Sequence, residues 1–273
     1  MSRPRRLPLV FAVPLAVLLL VLLVPLAVLL GLSAGHGLLA AFQDPAFLAS
    51  VLVTFAGAGL AAALAVLLGT PSAYALARGL LPGRLGAVVE AAVLAPLTVP
   101  HLVAGIALLL MFSPLSPLYA ILGPVPVVDT FLGLTLAFFF VSSPYFVSGV
   151  KESVAKLDPR LELAARSLGA GPGETFARVV VPNLRGPILE SFLLTWARAV
   201  SEFGSIAVLA YFLLGLPFLG TVMPASNFLW ALYQSEGLGV VLGYAGAFLL
   251  VSLIPLVLLQ MVKARPWTST STA

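Results

Sequence analysis

Long, nearly uncharged apolar runs constrain what this chain can fold into more than any other feature of its sequence. They cover about residues 7–32, 47–77, 87–112, 131–150, 188–214 and 238–262. Each run meets or exceeds the ~20 apolar residues that a helix needs to cross a bilayer. With 61% hydrophobic and only 9% charged residues, the composition excludes a water-soluble domain of this size. The sequence therefore predicts an all-α membrane protein with six transmembrane helices, a multi-pass protein of the cell (inner or plasma) membrane.

The first run follows Arg3, Arg5 and Arg6, and a basic start before an apolar stretch is also typical of a signal peptide. This run is longer than the ~7–15 apolar residues of a signal peptide, so we expect an uncleaved first span. Prolines interrupt two later runs. Pro71 is predicted to break the second span, and Pro96 with Pro100 to distort the third.

Basic residues are distributed unevenly between the runs. Of the 14 Lys and Arg residues, Arg198 alone lies inside a predicted span. The others precede the first span, follow the sixth, or lie between spans two and three and between spans four and five. The alternate loops, about 33–46, 113–130 and 215–237, contain none. The positive-inside rule then predicts that both termini and the loop 151–187 are cytoplasmic.

The predicted organisation is one membrane domain with two flanking parts. Residues 1–46 form a first transmembrane helix and outer loop, 47–262 a core that includes the loop 151–187, and 263–273 a disordered cytoplasmic tail. The absence of cysteine excludes disulfides, thiol catalysis and thiolate metal sites. No catalytic or metal site is predicted, and the net charge of +4 reflects membrane topology rather than a nucleic-acid partner. The chain also lacks the G-x-x-x-x-G-K-(S/T) loop that binds ATP, so any ATP-derived energy must come from another subunit.

The longest polar stretch, Asp158–Pro182, is called here the coupling segment. Asp158 and Pro159 are typical of a helix start, and Gly169 of a left-handed helix end. An apolar stripe recurs at helical spacing between them: Leu161, Ala164, Ala165 and Leu168.

Two ion pairs are expected in the coupling segment. Glu162 with Arg166 and Glu174 with Arg178 are each four residues apart with the acid first. The second helix is predicted to begin near Glu174 and to stop at Pro182. Helices this short are not stable alone in water, so they need a surface to lie against. That surface is either the chain's own membrane domain or another subunit.

The spacing of this segment resembles a known loop. Ala164-Ala165, three residues, Gly169, nine residues, then Val179-x-Val181-Pro182 resembles the EAA loop of ABC-importer permeases. The leading acid of that pattern falls on Leu163, so Glu162 is displaced by one position. The resemblance implies a coupling helix held in a cleft of a separate ATPase subunit, which would carry the ATP and Mg, so that this chain needs no cofactor. The residues it assigns to ATPase coupling are Glu162, Ala164, Ala165, Arg166, Leu168, Gly169, Val179 and Pro182.

Arg198 lies about ten residues into the fifth run, roughly 15 Å deep. A charge at that depth costs at least ~2.5–3.5 kcal/mol and should face protein or water. Polar residues share its predicted helix face: Thr195, Ser201, Glu202 and Ser205. Two interpretations stay open, that the Arg198–Glu202 pair fastens neighbouring helices or that this face lines a translocation path. His101, beside Pro100, is a further path residue or a packing histidine.

The stretch TWARAVSEFGS, residues 195–205, resembles the R-A-x-(S/G)-E-F-G segment of molybdate, tungstate and sulfate permeases. VPHLVAGIALLL and VDTFLG…FVSSPYFV resemble segments of the molybdate/tungstate branch, although the outer loop after Tyr211 departs from that pattern. The resemblance implies import of a tetrahedral oxyanion, molybdate or tungstate first. It also implies a second permease copy in a homodimer, two ABC ATPase subunits and an external substrate-binding protein.

Three alternatives remain at this point. The substrate could be sulfate or another anion. The chain could instead be an ion-coupled secondary transporter or channel, with Arg198 and Glu202 as a relay. Gly31-x-Ser33-x-Gly35 beside His36 also fits the G-x-S-x-G pattern of serine hydrolases, although it lies at the end of a membrane helix rather than in a strand-turn-helix.

Overall fold

A computed structural model gives the fold and describes residues 8–264. The predictions for Arg3, Arg5, Arg6 and the tail beyond residue 264 lie outside these described residues. The α-helices are α1 Leu9–Ala34, α2 Leu38–Ala41, α3 Pro45–Ala77, α4 Leu85–Leu94, α5 His101–Met111, α6 Pro117–Leu122, α7 Phe131–Lys156, α8 Pro159–Ser167, α9 Pro172–Thr175, α10 Val181–Val200, α11 Ile206–Leu209, α12 Ala225–Glu236, α13 Leu238–Ser252 and α14 Ile254–Ala264. A 3₁₀ turn covers Ala95–Leu97, a π-helical turn Phe176–Val180, and two strands, β1 Leu213–Leu216 and β2 Gly220–Val222, complete the order.

Four helical segments within residues 8–264 are long and apolar enough to cross a membrane: α1, α3, α7 and the stretch Leu238–Lys263 that joins α13 to α14. A fifth crossing is added if the bent pair Leu85–Leu97 and His101–Met111 is one span. The predicted membrane class is therefore confirmed, whereas the count of six and the sidedness of the termini stay predictions.

α3 does not break at Pro71, so that prediction is wrong. The helix runs unbroken over 33 residues. A proline in this position leaves the carbonyl of Leu67 without its usual donor. The two carbonyls that flank the Leu67 carbonyl each accept a second hydrogen bond at 2.7 Å, one from the Thr70 hydroxyl and one from the Ser72 hydroxyl. Packing against neighbouring helices lets prolines remain inside membrane helices, and α3 packs on α7 and α10.

The third predicted span is interrupted, as Pro96 and Pro100 indicate. Leu85–Leu97 and His101–Met111 meet at an angle of 114°. Pro96 lies in the 3₁₀ turn and Pro100 directly precedes α5. A proline has no N–H to donate and fixes its own φ, so the helix restarts in a new direction after Pro100.

The fifth predicted span differs most from its expected course. The prediction of one continuous span over 188–214 is wrong, because α10 begins at Val181 and ends at Val200. The chain then turns through residues 201–205, forms the short α11 and enters the antiparallel hairpin β1–β2, in which Leu213 pairs with Val222. This hairpin is a departure from the predicted all-α class.

The core lies where α3, α7 and α10 pack together. Its largest fully buried side chains include Leu134, Phe138, Phe146 and Ile206. α1 lies at the edge and packs on α13, where the Ser33 hydroxyl donates to the carbonyls of Leu29 and Leu242 at 2.6 and 2.8 Å. The serine of the G-x-S-x-G pattern therefore fastens two helices, while His36 Nδ1 lies 2.7 Å from the Leu32 carbonyl.

Candidate functional site

The coupling segment begins with a capped short helix, α8. Asp158 Oδ1 accepts a hydrogen bond from the Arg160 amide at 2.9 Å, and Pro159 occupies the first position of the helix. At the other end Gly169 has a φ of +92°, and the Ala170 amide bonds back to the Ala165 carbonyl at 3.1 Å. Both predicted helix ends are confirmed, and they fix where the face of α8 points.

The outer surface of α8 carries leucines among polar side chains and is not covered by the described residues. Leu163 is 61% and Leu168 90% exposed, whereas Glu162 is 6% exposed. The remaining predicted coupling residues divide between exposed and half-buried: Ala164, Arg166, Gly169 and Pro182 are exposed, and Ala165 and Val179 are half-buried. Large exposed leucines on a capped helix are typical of a docking surface.

Glu162 does not pair with Arg166, which corrects the first ion-pair prediction. Its carboxylate faces the end of α3, where Arg78 Nη2 lies 2.6 Å from Oε1 and the Tyr74 hydroxyl donates to Oε2 at 2.6 Å. The one-position displacement from the usual place of the acid turns the side chain inward, because each residue rotates about 100° around a helix.

The second half of the coupling segment is partly as predicted. Glu174 and Arg178 form the expected ion pair, with 2.8 Å between Oε1 and Nη1. Pro182 does not stop the helix, so that prediction is wrong. α9 passes through the π-helical turn Phe176–Val180 directly into α10. Pro182 lies in the first turn of α10, where a missing N–H is tolerated.

A second group of residues, called here the polar cluster, joins His101, Arg198, Glu202 and Ser205. Glu202 is 1% exposed. Its Oε1 accepts hydrogen bonds from the amide and the hydroxyl of Ser205, both at 3.0 Å. Its Oε2 lies 2.5 Å from His101 Nδ1 and 3.2 Å from Arg198 Nη2. Both oxygens of the buried carboxylate are thus satisfied, as a buried charge requires.

Arg198 occupies the more open side of the polar cluster. Its Nη1 donates to the Ser201 hydroxyl at 3.3 Å, and its Cζ lies 6.0 Å from the centre of the Tyr145 ring. The side chains of Arg198 and His101 are 20% and 39% exposed, while Glu202 is fully covered. The cluster therefore presents a guanidinium and an imidazole outward, with the carboxylate behind them.

The two helix interruptions bring the polar cluster together. His101 begins α5 after the bend, and Glu202 and Ser205 lie in the turn after α10. A Cβ on Gly105 would lie 2.6 Å from the Ser205 carbonyl oxygen, and one on Gly204 would lie 2.8 Å from His101 Cβ. The approach of α5 to this turn thus requires glycine on both sides.

Not every residue predicted for the path joins the cluster. Thr195 is fully buried, and its hydroxyl is without a hydrogen-bond partner among the described residues. Two contributors were missed from sequence, Tyr145 below Arg198 and Ser226, whose hydroxyl donates to the Glu202 carbonyl at 2.7 Å. Tyr145 lies in the stretch FVSSPYFV that resembles the molybdate/tungstate branch, but its spacing from Arg198 does not show that the two meet, and the same holds for Ser226.

A separate cavity of about 640 Å³ lies between α3 and α10. It is lined mostly by apolar side chains, including Val66, Leu67, Ile188 and Phe192, together with Arg185. Within residues 8–264, no group of three or more His, Asp or Glu side chains could hold a metal ion.

Comparison with known sequences gives consistent matches. A family model described as "Binding-protein-dependent transport system inner membrane component" matches residues 65–267. The chain is 33% identical over 175 residues, 64% of its length, to the molybdate/tungstate transport system permease protein WtpB of Thermococcus kodakarensis, and spans 66% of that protein. It is 33% identical to a probable molybdenum ABC transporter permease protein of Haloferax volcanii, with 85% of each chain covered. It is also 31% identical to a probable sulfate transport system permease protein, cysT, of Nephroselmis olivacea, over 83% of this chain and 76% of that protein.

Two solved structures share the fold. A bacterial ABC transporter involved in the import of the acidic polysaccharide alginate aligns with a TM-score of 0.62 at 18% identity, over 95% of each chain. The alginate transporter solved in complex with an alginate pentasaccharide-bound periplasmic protein aligns with a TM-score of 0.66 at 12% identity, over 93% of this chain and 91% of that one. At these identities the likeness concerns the fold alone.

Proposed function

The chain belongs to the family of binding-protein-dependent transport system inner membrane components, and from this premise we propose that it is the permease subunit of an ABC importer for a tetrahedral oxyanion. Molybdate or tungstate is the first candidate. The observation that carries the oxyanion assignment is the polar cluster, in which Arg198 and His101 are turned outward and both lie against the buried Glu202. The names of the archaeal relatives, molybdate/tungstate and molybdenum permeases, support the same substrate class.

The chemistry of the polar cluster suits transient anion binding. A passing oxyanion competes with Glu202 for Arg198 and for the ring of His101. The guanidinium offers paired donors that match an oxyanion. The nearby Glu202 carboxylate lowers the affinity of the site for the anion, so the anion is released quickly. Because His101 and Glu202 lie on two interrupted helices, separating these helices opens the cluster.

The coupling segment supplies the link to ATP. Leu163 and Leu168, both exposed, dock in a cleft of an ABC ATPase subunit, and two such subunits serve a dimer of this chain. In this proposal α10 with the turn after it is the remaining membrane crossing, so both termini and the coupling segment share one side. The basic residues on that side assign it to the cytoplasm. An external binding protein delivers the ion from the opposite side.

Sulfate is the second candidate substrate, favoured by the sulfate transport relatives at 31% identity. Reconstitution of this chain in liposomes with its ATPase and binding-protein partners tests both. We expect vanadate-sensitive ATP hydrolysis that rises with molybdate-loaded binding protein only when this chain is present. Uptake of sulfate but not molybdate selects the second candidate. Uptake driven by an ion gradient without ATP contradicts the proposal and favours a secondary transporter.

A further inference from the structure

An ion-pair cluster ties α8 to the end of α3. Both carboxylate oxygens of Glu162 are bonded by α3: Oε2 by the Tyr74 hydroxyl, and Oε1 by Arg78 Nε at 2.8 Å and Nη2 at 2.6 Å. Tyr74 and Arg78 are four residues apart, so they extend from one face of the helix end. The side chains of Arg78 and Glu162 are only 15% and 8% exposed. This is a shielded, three-membered contact between α8 and a membrane-spanning helix.

The same end of α3 contacts the chain on both sides of α8. Arg78 Nη2 donates to the carbonyl of Leu157, the residue that ends α7, at 3.1 Å. The Tyr74 ring lies 5.1 Å, centre to centre, from Phe176 in the π-helical turn. The end of α3 therefore contacts the chain before α8, at Leu157, the buried side of α8, at Glu162, and the chain after α8, at Phe176.

α8 also packs on α9 and on the π-helical turn Phe176–Val180, but it is too short to be stable on its own. With 9 residues it is shorter than the ~12–15 at which an isolated helix becomes marginally stable. Leu161, Leu163 and Leu168 are 42%, 61% and 90% exposed, and Glu162 is its one buried residue. Hydrogen bonds to charged groups are roughly twice as strong as neutral ones and hold a defined direction. The contacts of Glu162 therefore form a shielded link of defined direction between α8 and α3.

We infer that Tyr74 and Arg78 are positioning residues that transmit the movement of α8 to α3. The inference rests on the proposed function, since it names the route by which an ATPase subunit moves the spans. α3 extends over 33 residues and packs on both α7 and α10. Displacement of its end therefore changes the packing on which the polar cluster depends.

The test compares Glu162→Gln with the control Glu190→Gln. Glu190 is in a more exposed ion pair: its side chain is 40% exposed, and its Oε2 lies 3.7 Å from Lys263 Nζ. In reconstituted complexes, Glu162→Gln lowers the molybdate transported per ATP hydrolysed by about fivefold, with the ATPase subunit fully retained. Glu190→Gln leaves this ratio unchanged. Tyr74→Phe, which removes only a hydroxyl, lowers it by about twofold. An unchanged ratio in Glu162→Gln, or a parallel loss of the ATPase subunit, overturns the inference.

A chemical rescue separates transmission from folding. The chain contains no cysteine, so a short bifunctional thiol reagent added to Arg78→Cys/Glu162→Cys joins only these two positions within it. The reagent should restore the transport-to-hydrolysis ratio of the double variant, and failure to restore it in a cross-linked, assembled complex contradicts transmission along this route.

Hydrogen exchange provides a measurement that does not need transport. In the purified chain, the amides of α8 should exchange about tenfold faster in Glu162→Gln than in Glu190→Gln. Equal exchange in the two variants overturns the inference whatever the transport assays give. Faster exchange in Glu162→Gln, together with no ATP-driven uptake by the unmodified chain, removes the proposed function and leaves Tyr74 and Arg78 as the residues that position α8.

Discussion

His101 Nδ1 lies 2.5 Å from Glu202 Oε2, although the two residues are 101 positions apart. Arg198 Nη2 lies 2.9 Å from Nε2 and 3.1 Å from Nδ1 of the same ring, so it lies over the face of the imidazole rather than in line with one ring nitrogen. Because an ionised carboxylate only accepts hydrogen bonds, Nδ1 is the donor in the contact between His101 and Glu202. A guanidinium, an imidazole and a buried carboxylate thus form one hydrogen-bonded unit across two interrupted helices.

Arg198→Ala should reduce ATP-driven oxyanion uptake by about tenfold or more, because a hydrogen bond to a charged group contributes ~1.5–3 kcal/mol. Glu202 keeps its contacts with His101 and Ser205, so assembly with the ATPase subunit should be unaffected. Uptake and subunit retention are measured on the same preparations, with the exposed Arg84→Ala as the control. Loss of assembly in Arg198→Ala supports instead the interpretation that the pair only fastens helices.

Gly169→Val should uncouple ATP hydrolysis from transport. The glycine has a φ of +92°, and a Cβ there meets nothing within 4 Å, so the penalty is backbone strain of ~1–2 kcal/mol rather than a clash. Gly171→Val is the matched control, since that residue has a φ of −68° and equally open surroundings. Uptake per ATP hydrolysed is the measurement, and equal coupling in both variants would refute the role of the Gly169 cap in docking.

Leu168→Glu should weaken binding of the ATPase subunit without destabilising the chain. Leu168 is 90% exposed at the end of α8, so a charge there costs nothing in the isolated chain but opposes an apolar interface. Leu115→Glu, at an 84% exposed position remote from α8, is the control. Titration of the ATPase subunit onto the immobilised chain gives both affinities, and a similar affinity for the two variants would place the docking surface elsewhere.

Gly105→Ala should lower the free energy of unfolding by ~1–3 kcal/mol, the usual cost of overpacking. The added Cβ would lie 2.6 Å from the Ser205 carbonyl oxygen, and backbone on both sides leaves no side chain that can yield. Gly239→Ala, where a Cβ meets nothing within 4 Å, should be neutral. The free energies of unfolding of the two variants are compared in the same detergent. Equal values would mean that α5 does not approach the turn so closely.

Thr195→Val should be neutral or stabilise the chain by up to ~1 kcal/mol, because it replaces a buried, unpartnered hydroxyl with a methyl group. Thr54→Val should cost ~1–3 kcal/mol, because the Thr54 hydroxyl accepts a hydrogen bond from the Ala225 amide at 2.8 Å. Unfolding measurements compare the two. A stable Thr195→Val that no longer transports would assign the hydroxyl to the passing ion.

Local features of the coupling segment could be predicted because short-range chemistry fixes them. Asp158 caps α8 and Gly169 ends it with a positive φ, as their residue types indicate. The Glu174–Arg178 pair forms for the same reason, since four residues bring two side chains together on any helix. The assignment of Gly169 and the other predicted coupling residues to ATPase coupling stays a prediction.

Two of the errors, those at Glu162 and in the fifth predicted span, share one cause, which is competition from partners distant in the chain. Glu162 prefers Tyr74 and Arg78 to the nearby Arg166 because α3 offers several donors in a shielded place. The break in α3 expected at Pro71 is missing because α3 is held along its length by packing on α7 and α10. The end of α10 at Val200 lets Glu202 reach His101, which a continuous helix would not explain.

The sequence by itself determined that this is a multi-pass membrane protein with a capped polar helix pair, because apolar length, charge placement and helix-end chemistry act over a few neighbouring residues. Only the tertiary structure decided that α8 is fastened to α3 through Glu162 and that Arg198, His101 and Glu202 form one cluster. Those contacts join positions 84 to 101 residues apart. Their strength depends on burial and on the approach of interrupted helices, which no short window of sequence encodes.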